Sequence, residues 1–168
     1  MNRLLRPERP SDAEAIASLT TAAFLNAPHT SHTEAFIVNA LRRAGAMSVS
    51  LVAEQDGALV GHVATSPVVI ADGTPGWHGL GPISVLPALQ GQGLGSALMH
   101  AAMKALRDQG AVGIMLVGDP AYYRRFGFRP EPQLVYPGIP PEYFMVLPFT
   151  DGLPQGTVTF HGAFGATA

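Results

Sequence analysis

Apolar and polar positions alternate in two distinct rhythms along this chain. Leu4-Leu5-Arg6 is a short first strand, stopped by Pro7 and Pro10. Ala15, Ile16, Leu19, Ala22, Ala23 and Phe24 then recur at helical spacing. Ser11 or Asp12 is placed to cap that helix, with Glu14 at capping-box distance from Ser11, and Pro28 ends it. Thr33 is placed to cap a second helix that carries Phe36, Ile37, Ala40 and Leu41 on one face and stops near Gly45.

The period then changes to two. Val49, Leu51 and Ala53 alternate with Ser50, Val52 and Glu54, which predicts a strand over 48–54. Gln55-Asp56-Gly57 carries the Asp-Gly hairpin signature. A long return strand follows over 58–70, bent or placed at an edge by Pro67. After a second turn at 71–76, Trp77 to Val85 is the third strand of an antiparallel run. Helical spacing returns from about Gly93 to Gln109, with Gly110 as its C-terminal glycine. Val112 to Val117 reads as a buried strand, parallel to the strand before the helix because a helical crossover joins them. A short helix over 121–126 and strands at 128–135, 143–147 and 157–160 complete the chain, the last as an edge strand. The element order predicts an α+β fold: a mixed, mostly antiparallel sheet with one parallel crossover, flanked by helices.

Composition narrows the class. A length of 168 residues, 47% of them hydrophobic and 13% charged, fits one domain spanning 1–168 with ample core material. A formal net charge of −2 argues against nucleic acid or an anionic membrane as the main partner. The absence of cysteine removes disulfides and thiolate catalysis. With no apolar leader at the N-terminus, the expectation is a cytoplasmic protein.

The candidate chemistry centres on the turn between the third meander strand and the long helix. Gly91, Gly93 and Gly95 stand at every second position there. Glycine allows positive φ and close backbone approach, and the free amides at a helix start suit a phosphate. Gly91-x-Gly93-x-x-Ser96 nearly meets a dinucleotide-binding pattern, with Asp119 beyond the next strand as a ribose ligand, but the third glycine is replaced. There is no Gly-Lys-Ser/Thr for a P-loop and no Gly-x-Ser-x-Gly elbow for a serine hydrolase.

Gln90-x-x-Gly93-x-Gly95, after a strand ending Ile83-Ser84-Val85, resembles the acetyl-CoA motif of the GNAT acetyltransferases. Tyr123-Arg-Arg-Phe-Gly127-Phe128 resembles the tyrosine that this family commonly carries four residues before a Gly-Phe pair. The element order and the stretches 80–87, 118–128 and 141–146 also resemble a bacterial subgroup of N-acetyltransferases, so the likeness covers most of the chain. Before the tyrosine this chain has Gly118-Asp119-Pro120 where many members have an Asn and a longer turn.

The resemblance implies an N-acetyltransferase that joins acetyl-CoA and an amine acceptor, a small molecule or a peptide, without an acyl-enzyme. It implies that Ile83, Ser84, Val85, Gln90, Gly91, Gln92, Gly93, Leu94, Gly95 and Ser96 bind the cofactor, with amides from Gln92 to Ser96 on its pyrophosphate and backbone near Ile83 and Val85 on its pantetheine. It makes Tyr123 the general acid, with Tyr122 adjacent as its competitor. Glu54, His78 and Ser84 are the candidates for the base. His29-x-x-His32 with Glu34 invites a metal reading, but no further ligands gather around it; it reads as a surface loop, in the place where the family builds its acceptor pocket, and no metal is expected. A module of the same fold that binds acyl-CoA as a sensor without turnover is the alternative. The late strands offer edges that could pair in a homodimer.

Overall fold

The computed structural model describes residues 2–28 and 30–168. Strand β1 (Arg3–Pro7) leads through a 3-10 turn at Pro10–Asp12 into α1 (Ala13–Phe24) and α2 (Glu34–Arg43). Strands β2 (Val49–Gln55), β3 (Ala58–Pro67), β4 (Val69–Ile70) and β5 (Trp77–Val85) form the meander. Helix α3 (Leu94–Asp108) crosses to β6 (Gly113–Val117), and α4 (Pro120–Tyr123) follows. Strands β7 (Leu134–Val135), β8 (Phe144–Pro148) and β9 (Gly156–Thr159) end the chain.

The main sheet has six strands in the order β1-β2-β3-β5-β6-β8, and all its neighbours are antiparallel except β5 and β6. A second sheet has the order β4-β9-β7. The long return strand expected over 58–70 divides at Pro67–Val68, so that β4 leaves the main sheet. β9 is the middle of the small sheet rather than an edge. Of the strand expected at 128–135, only the Arg129–Val146 bridge and the two residues of β7 form, because Pro130 and Pro132 donate no ladder bonds.

Burial explains the layers. Leu94, Leu98, Met99, Ala102, Met103 and Leu106 of α3 pack on Val49, Ala53, Val63, Leu80, Ile114 and Leu116 of the sheet. Ile16 of α1 and Val38 of α2 meet Val52 on the opposite face. Met115 and Trp77 join Phe144, Val146 and Val158 between the two sheets. β6 is therefore covered on both faces, as its run Gly113-Ile-Met-Leu-Val requires. The Asp56-Gly57 turn forms as expected, with φ of 52° and 84°, the signs that a tight two-residue hairpin demands.

Charges secure the outer end. The Arg6 guanidinium bonds Asp12 at 2.8 and 3.1 Å and Glu54 at 2.6 and 3.0 Å. Asp12 also accepts the Arg9 N–H at 2.6 Å, so it braces the 3-10 turn instead of sharing a capping box built on Ser11 and Glu14. Arg6 holds the Asp12 carboxyl below its ordinary value, against the opposing effect of burial. That stability is present above the unfolded carboxyl value and is lost as pH falls through the lowered one. Arg6→Ala would leave two carboxylates without their cation. We expect a loss of about 1–3 kcal/mol in urea unfolding at pH 7, with an unchanged m-value; a loss under ~0.5 kcal/mol would show the cluster to be dispensable.

Candidate active site

Pairing between β5 and β6 runs from Trp77–Gly113 to Gly79–Met115 and then stops. β6 stays with β8 as far as Val117, and β5 stays with β3 as far as Val85. The two parallel strands thus part inside the sheet. The register of β3 against β5 slips by one residue between Val63–Ile83 and Thr65–Leu80, a bulge that places Gly81 and Pro82 opposite Ala64. Beyond it, Leu86 N–H donates to Val60 C=O at 3.0 Å. Strand alternation therefore turns the backbone groups of Ile83 and Val85 to the open edge.

The glycine loop closes one end of this gap. A 3-10 turn at Pro87–Leu89 follows β5, and the Gln90 side-chain amide donates to Val85 C=O at 3.0 Å. Gly91 and Gly93 have φ of 76° and 84°, which only glycine adopts without strain. Ala97 N–H makes the bond to Gly93 C=O at 3.0 Å that starts the α3 ladder. The amides of Leu94, Gly95 and Ser96 come before it and point at the loop unpaired, as helix-start amides do.

Two tyrosines close the other side. Asp119 accepts Ala121 N–H at 2.9 Å and caps α4, which accounts for it without a ribose. Tyr122 and Tyr123 meet edge-to-face at 4.9 Å. The Tyr122 hydroxyl lies 3.5 Å from Ser96 Oγ, and a Cβ added at Gly95 would come within 3.3 Å of it. The Tyr123 ring lies against Gly118, where any side chain would collide with it, so this glycine seats the ring. The Tyr123 hydroxyl has no hydrogen-bond partner among the described residues. Burial, reinforced by Tyr122 and Asp119, pushes its pKa up to about 12, so it carries its proton at neutral pH.

These elements enclose a cleft of about 350 Å³. Ile83, Val85, Gln90, Gly91, Gly93, Gly95, Ser96 and Tyr123 line it, together with Tyr122 and Arg125. Three expected residues do not. Leu94 is in the core, Gln92 is exposed with its amide 3.5 Å from Ala88 C=O, and Ser84 is buried on the opposite face of β5. Arg125 escaped the sequence reading. Its signal was the i,i+3 spacing from Tyr122, over whose ring its guanidinium lies at 4.5 Å.

Two base candidates are occupied elsewhere. Glu54 is bound to Arg6. His78 bonds Ser48 Oγ at 2.8 Å and sits in the paired part of β5, seven residues from Val85, about 23 Å of extended chain. Burial lowers its pKa, so it is neutral at pH 7, but it is remote from the cleft. Glu34 accepts the Thr30 hydroxyl at 2.7 Å, and His29 lies outside the described residues. No group of metal-ligating side chains gathers among the described residues, nor is any helix there long and apolar enough to cross a membrane.

The model of the acetyltransferase (GNAT) family matches residues 13–128. YhbS of Escherichia coli, described as an uncharacterized N-acetyltransferase, is 37% identical over 126 residues, covering 74% of this chain and 72% of its own. A crystal structure of a GNAT family acetyltransferase from Brucella melitensis in complex with acetyl-CoA matches at 46% identity and a TM-score of 0.87, over 97% of this chain and 98% of that one. The crystal structure of Escherichia coli YhbS in complex with CoA matches at 32% identity and a TM-score of 0.89, over 100% and 94%. A mixed, mostly antiparallel sheet with one parallel pair, flanked by helices, is the fold that these structures share with this chain.

No atom lies within 4 Å of a Cβ built at Gly93, yet its φ is +84°. Gly93→Ala should therefore cost about 1–2 kcal/mol through backbone strain alone, read by urea unfolding. A neutral outcome would show that the loop reshapes freely.

Proposed function

The chain belongs to the GNAT acetyltransferase family, and from that premise we propose that it is an N-acetyltransferase. It transfers the acetyl group of acetyl-CoA to a primary amine by direct attack within a ternary complex. One observation carries this reading: β5 and β6 part beside the free amides of α3, and Tyr123 lines the same cleft.

The residues fit the cosubstrate. Acetyl-CoA, when bound, supplies an activated acetyl group. Backbone amides of Gly93 to Ser96 would hold its pyrophosphate at the positive end of a 15-residue helix. Arg125, on the rim of the cleft, adds a cation for a phosphate group. The open edge at Ile83 and Val85 would pair with the pantetheine amides, and the Val85 N–H would donate to the thioester carbonyl oxygen as charge develops there. Tyr123 would protonate the leaving sulfur as general acid, which its pKa of about 12 permits at neutral pH. Tyr122 is the weaker candidate because its hydroxyl is turned toward Ser96. Holding both reactants in one gap supplies much of the rate.

Isothermal titration with acetyl-CoA, with NADH as the control, tests the cleft. Binding of acetyl-CoA alone is expected; binding of NADH alone would restore the dinucleotide reading and end this one. Among variants, Tyr123→Phe should lower kcat for thiol release about 100-fold while leaving the affinity for acetyl-CoA unchanged. A full rate in that variant would remove Tyr123 from the chemistry and favour a sensor role.

A further inference from the structure

A chain of polar side chains crosses the sheet face opposite the cleft. Arg42 of α2 donates to both oxygens of Glu8, at 2.8 and 3.0 Å. Ser50 on β2 donates its hydroxyl hydrogen to Glu8. Ser50 Oγ also lies 2.8 Å from Nε2 of His62 on β3, a residue with no exposed surface. At 3.7 Å the ring is too far from Glu8 for a direct bond, so Ser50 spans the two. His62 stands directly opposite Ser84 of β5 in the antiparallel register. Both His62 Nδ1 and Ser84 Oγ are buried without a hydrogen-bond partner.

The network settles which ring nitrogen bears the hydrogen. Burial pushes the Glu8 carboxyl up, but the facing His62 ring, Arg42 and Ser50 outweigh it and hold the group well below the usual carboxylate range. Glu8 is therefore an ionised acceptor. Ser50 has one hydrogen, and Glu8 takes it, so Ser50 must accept from His62 Nε2–H. In a neutral imidazole the other nitrogen is then bare. A bare nitrogen buried in a protein core is costly unless something uses it. Residues opposite one another in an antiparallel pair have Cβ atoms about 4.5–5.5 Å apart, so the Ser84 hydroxyl can swing onto Nδ1.

Ser84 is also the residue between Ile83 and Val85, whose side chains line the cleft. With the cosubstrate in that cleft, an amine must reach the thioester from the other face of the gap. That is the face of Ser84, roofed by α1, with exposed apolar side chains at Leu25 and Phe36 beside the α1–α2 connection.

We propose that Ser84 and His62 form the relay that removes the proton from the attacking amine, an inference that rests on the acetyltransferase reading above. The neutral amine forms its N–C bond to the acetyl carbon and passes one proton to Ser84 Oγ, while the hydrogen of Ser84 moves to His62 Nδ1. The electrons of the C–S bond leave with sulfur, which takes the Tyr123 hydrogen. Proton exchange with solvent returns the imidazolium and the phenolate to their starting states. Glu8, through Ser50, stabilises the imidazolium. The buried side of α1, the helix packed on β3, carries Ile16, Leu19 and Thr20, and Thr20 is committed to Ile16 C=O at 2.7 Å. The charged groups facing His62 among the described residues are thus Glu8 and, behind it, Arg42. Ser84 is the catalytic member, and His62 acts through it as a positioning residue.

Two measurements test the relay. Long-range 1H–15N spectra of histidine-labelled protein should show His62 protonated at Nε2 and bare at Nδ1, with His62→Gln assigning the signal; a hydrogen on Nδ1 would overturn the proposal whatever the acceptor. Thiol release from acetyl-CoA with benzylamine as the probe gives the second. Ser84→Ala should lower kcat at least tenfold with KM for acetyl-CoA unchanged, and Ser84→Thr should recover most of it. His62→Gln, which keeps a donor for Ser50, should lose the same kcat with KM for acetyl-CoA unchanged. Wild-type rates in both Ser84→Ala and His62→Gln would overturn the relay while leaving the transferase standing. Failure of the wild-type protein to bind acetyl-CoA would instead bring down the transferase reading itself.

Discussion

The structure depends on one broken ladder. β5 and β6 pair over three residues and then separate, and a sheet can tolerate that interior gap only if each strand is held from its far side. β3 holds β5 along its whole second half, and β8 holds β6 from Gly113 to Val117. Beneath the gap, α3 packs Leu94, Leu98 and Met99 into the core, so the two strands rest on one helix after losing each other. Backbone groups left unpaired in a protein interior are costly. An extended molecule rich in amides is what such an edge would accommodate, and the free amides at the start of α3 would suit a phosphate at the same end.

Two ionic clusters then stiffen the half of the sheet away from the gap. Arg6 ties β1 to the start of α1 through Asp12 and to β2 through Glu54. Arg42 ties α2 to the segment after β1 through Glu8. Both clusters are mostly shielded from water, where a pair left incomplete costs more than a complete one contributes. Their position matters more than their net energy. They fix α1 and α2 over β2 and β3, and the Glu8 cluster reaches inward to His62.

Much of this was legible in the chain because local rules and global fold agree there. The Asp56-Gly57 hairpin, the α3 periodicity and the Gln90-to-Gly95 loop each follow from short-range chemistry, and each formed as expected. The late strands did not, because Pro130 and Pro132 outweigh the apolar residues around them and because β4 and β9 find each other across 88 residues of chain. No local pattern encodes that pairing. The role of Gly118 was equally hidden: its glycine reflects contact with the Tyr123 ring, not a turn. Glu54 and His78 looked available in the sequence only because their partners, Arg6 and Ser48, are remote along the chain.

The bulge at Gly81–Pro82 links the two faces. Side chains alternate along a strand, so a slip of one residue would send Ile83 and Val85 to the α1 face and Ser84 into the cleft. With the bulge in place, Ile83, Val85 and the free backbone edge face the cleft, and Ser84 stands opposite His62 on the other face of the sheet. On the acetyltransferase reading, an amine has to approach the thioester carbonyl from the side that the cofactor leaves open. A parted pair of strands, registered by a single extra residue, is a direct way for a sheet to offer a different surface to each side.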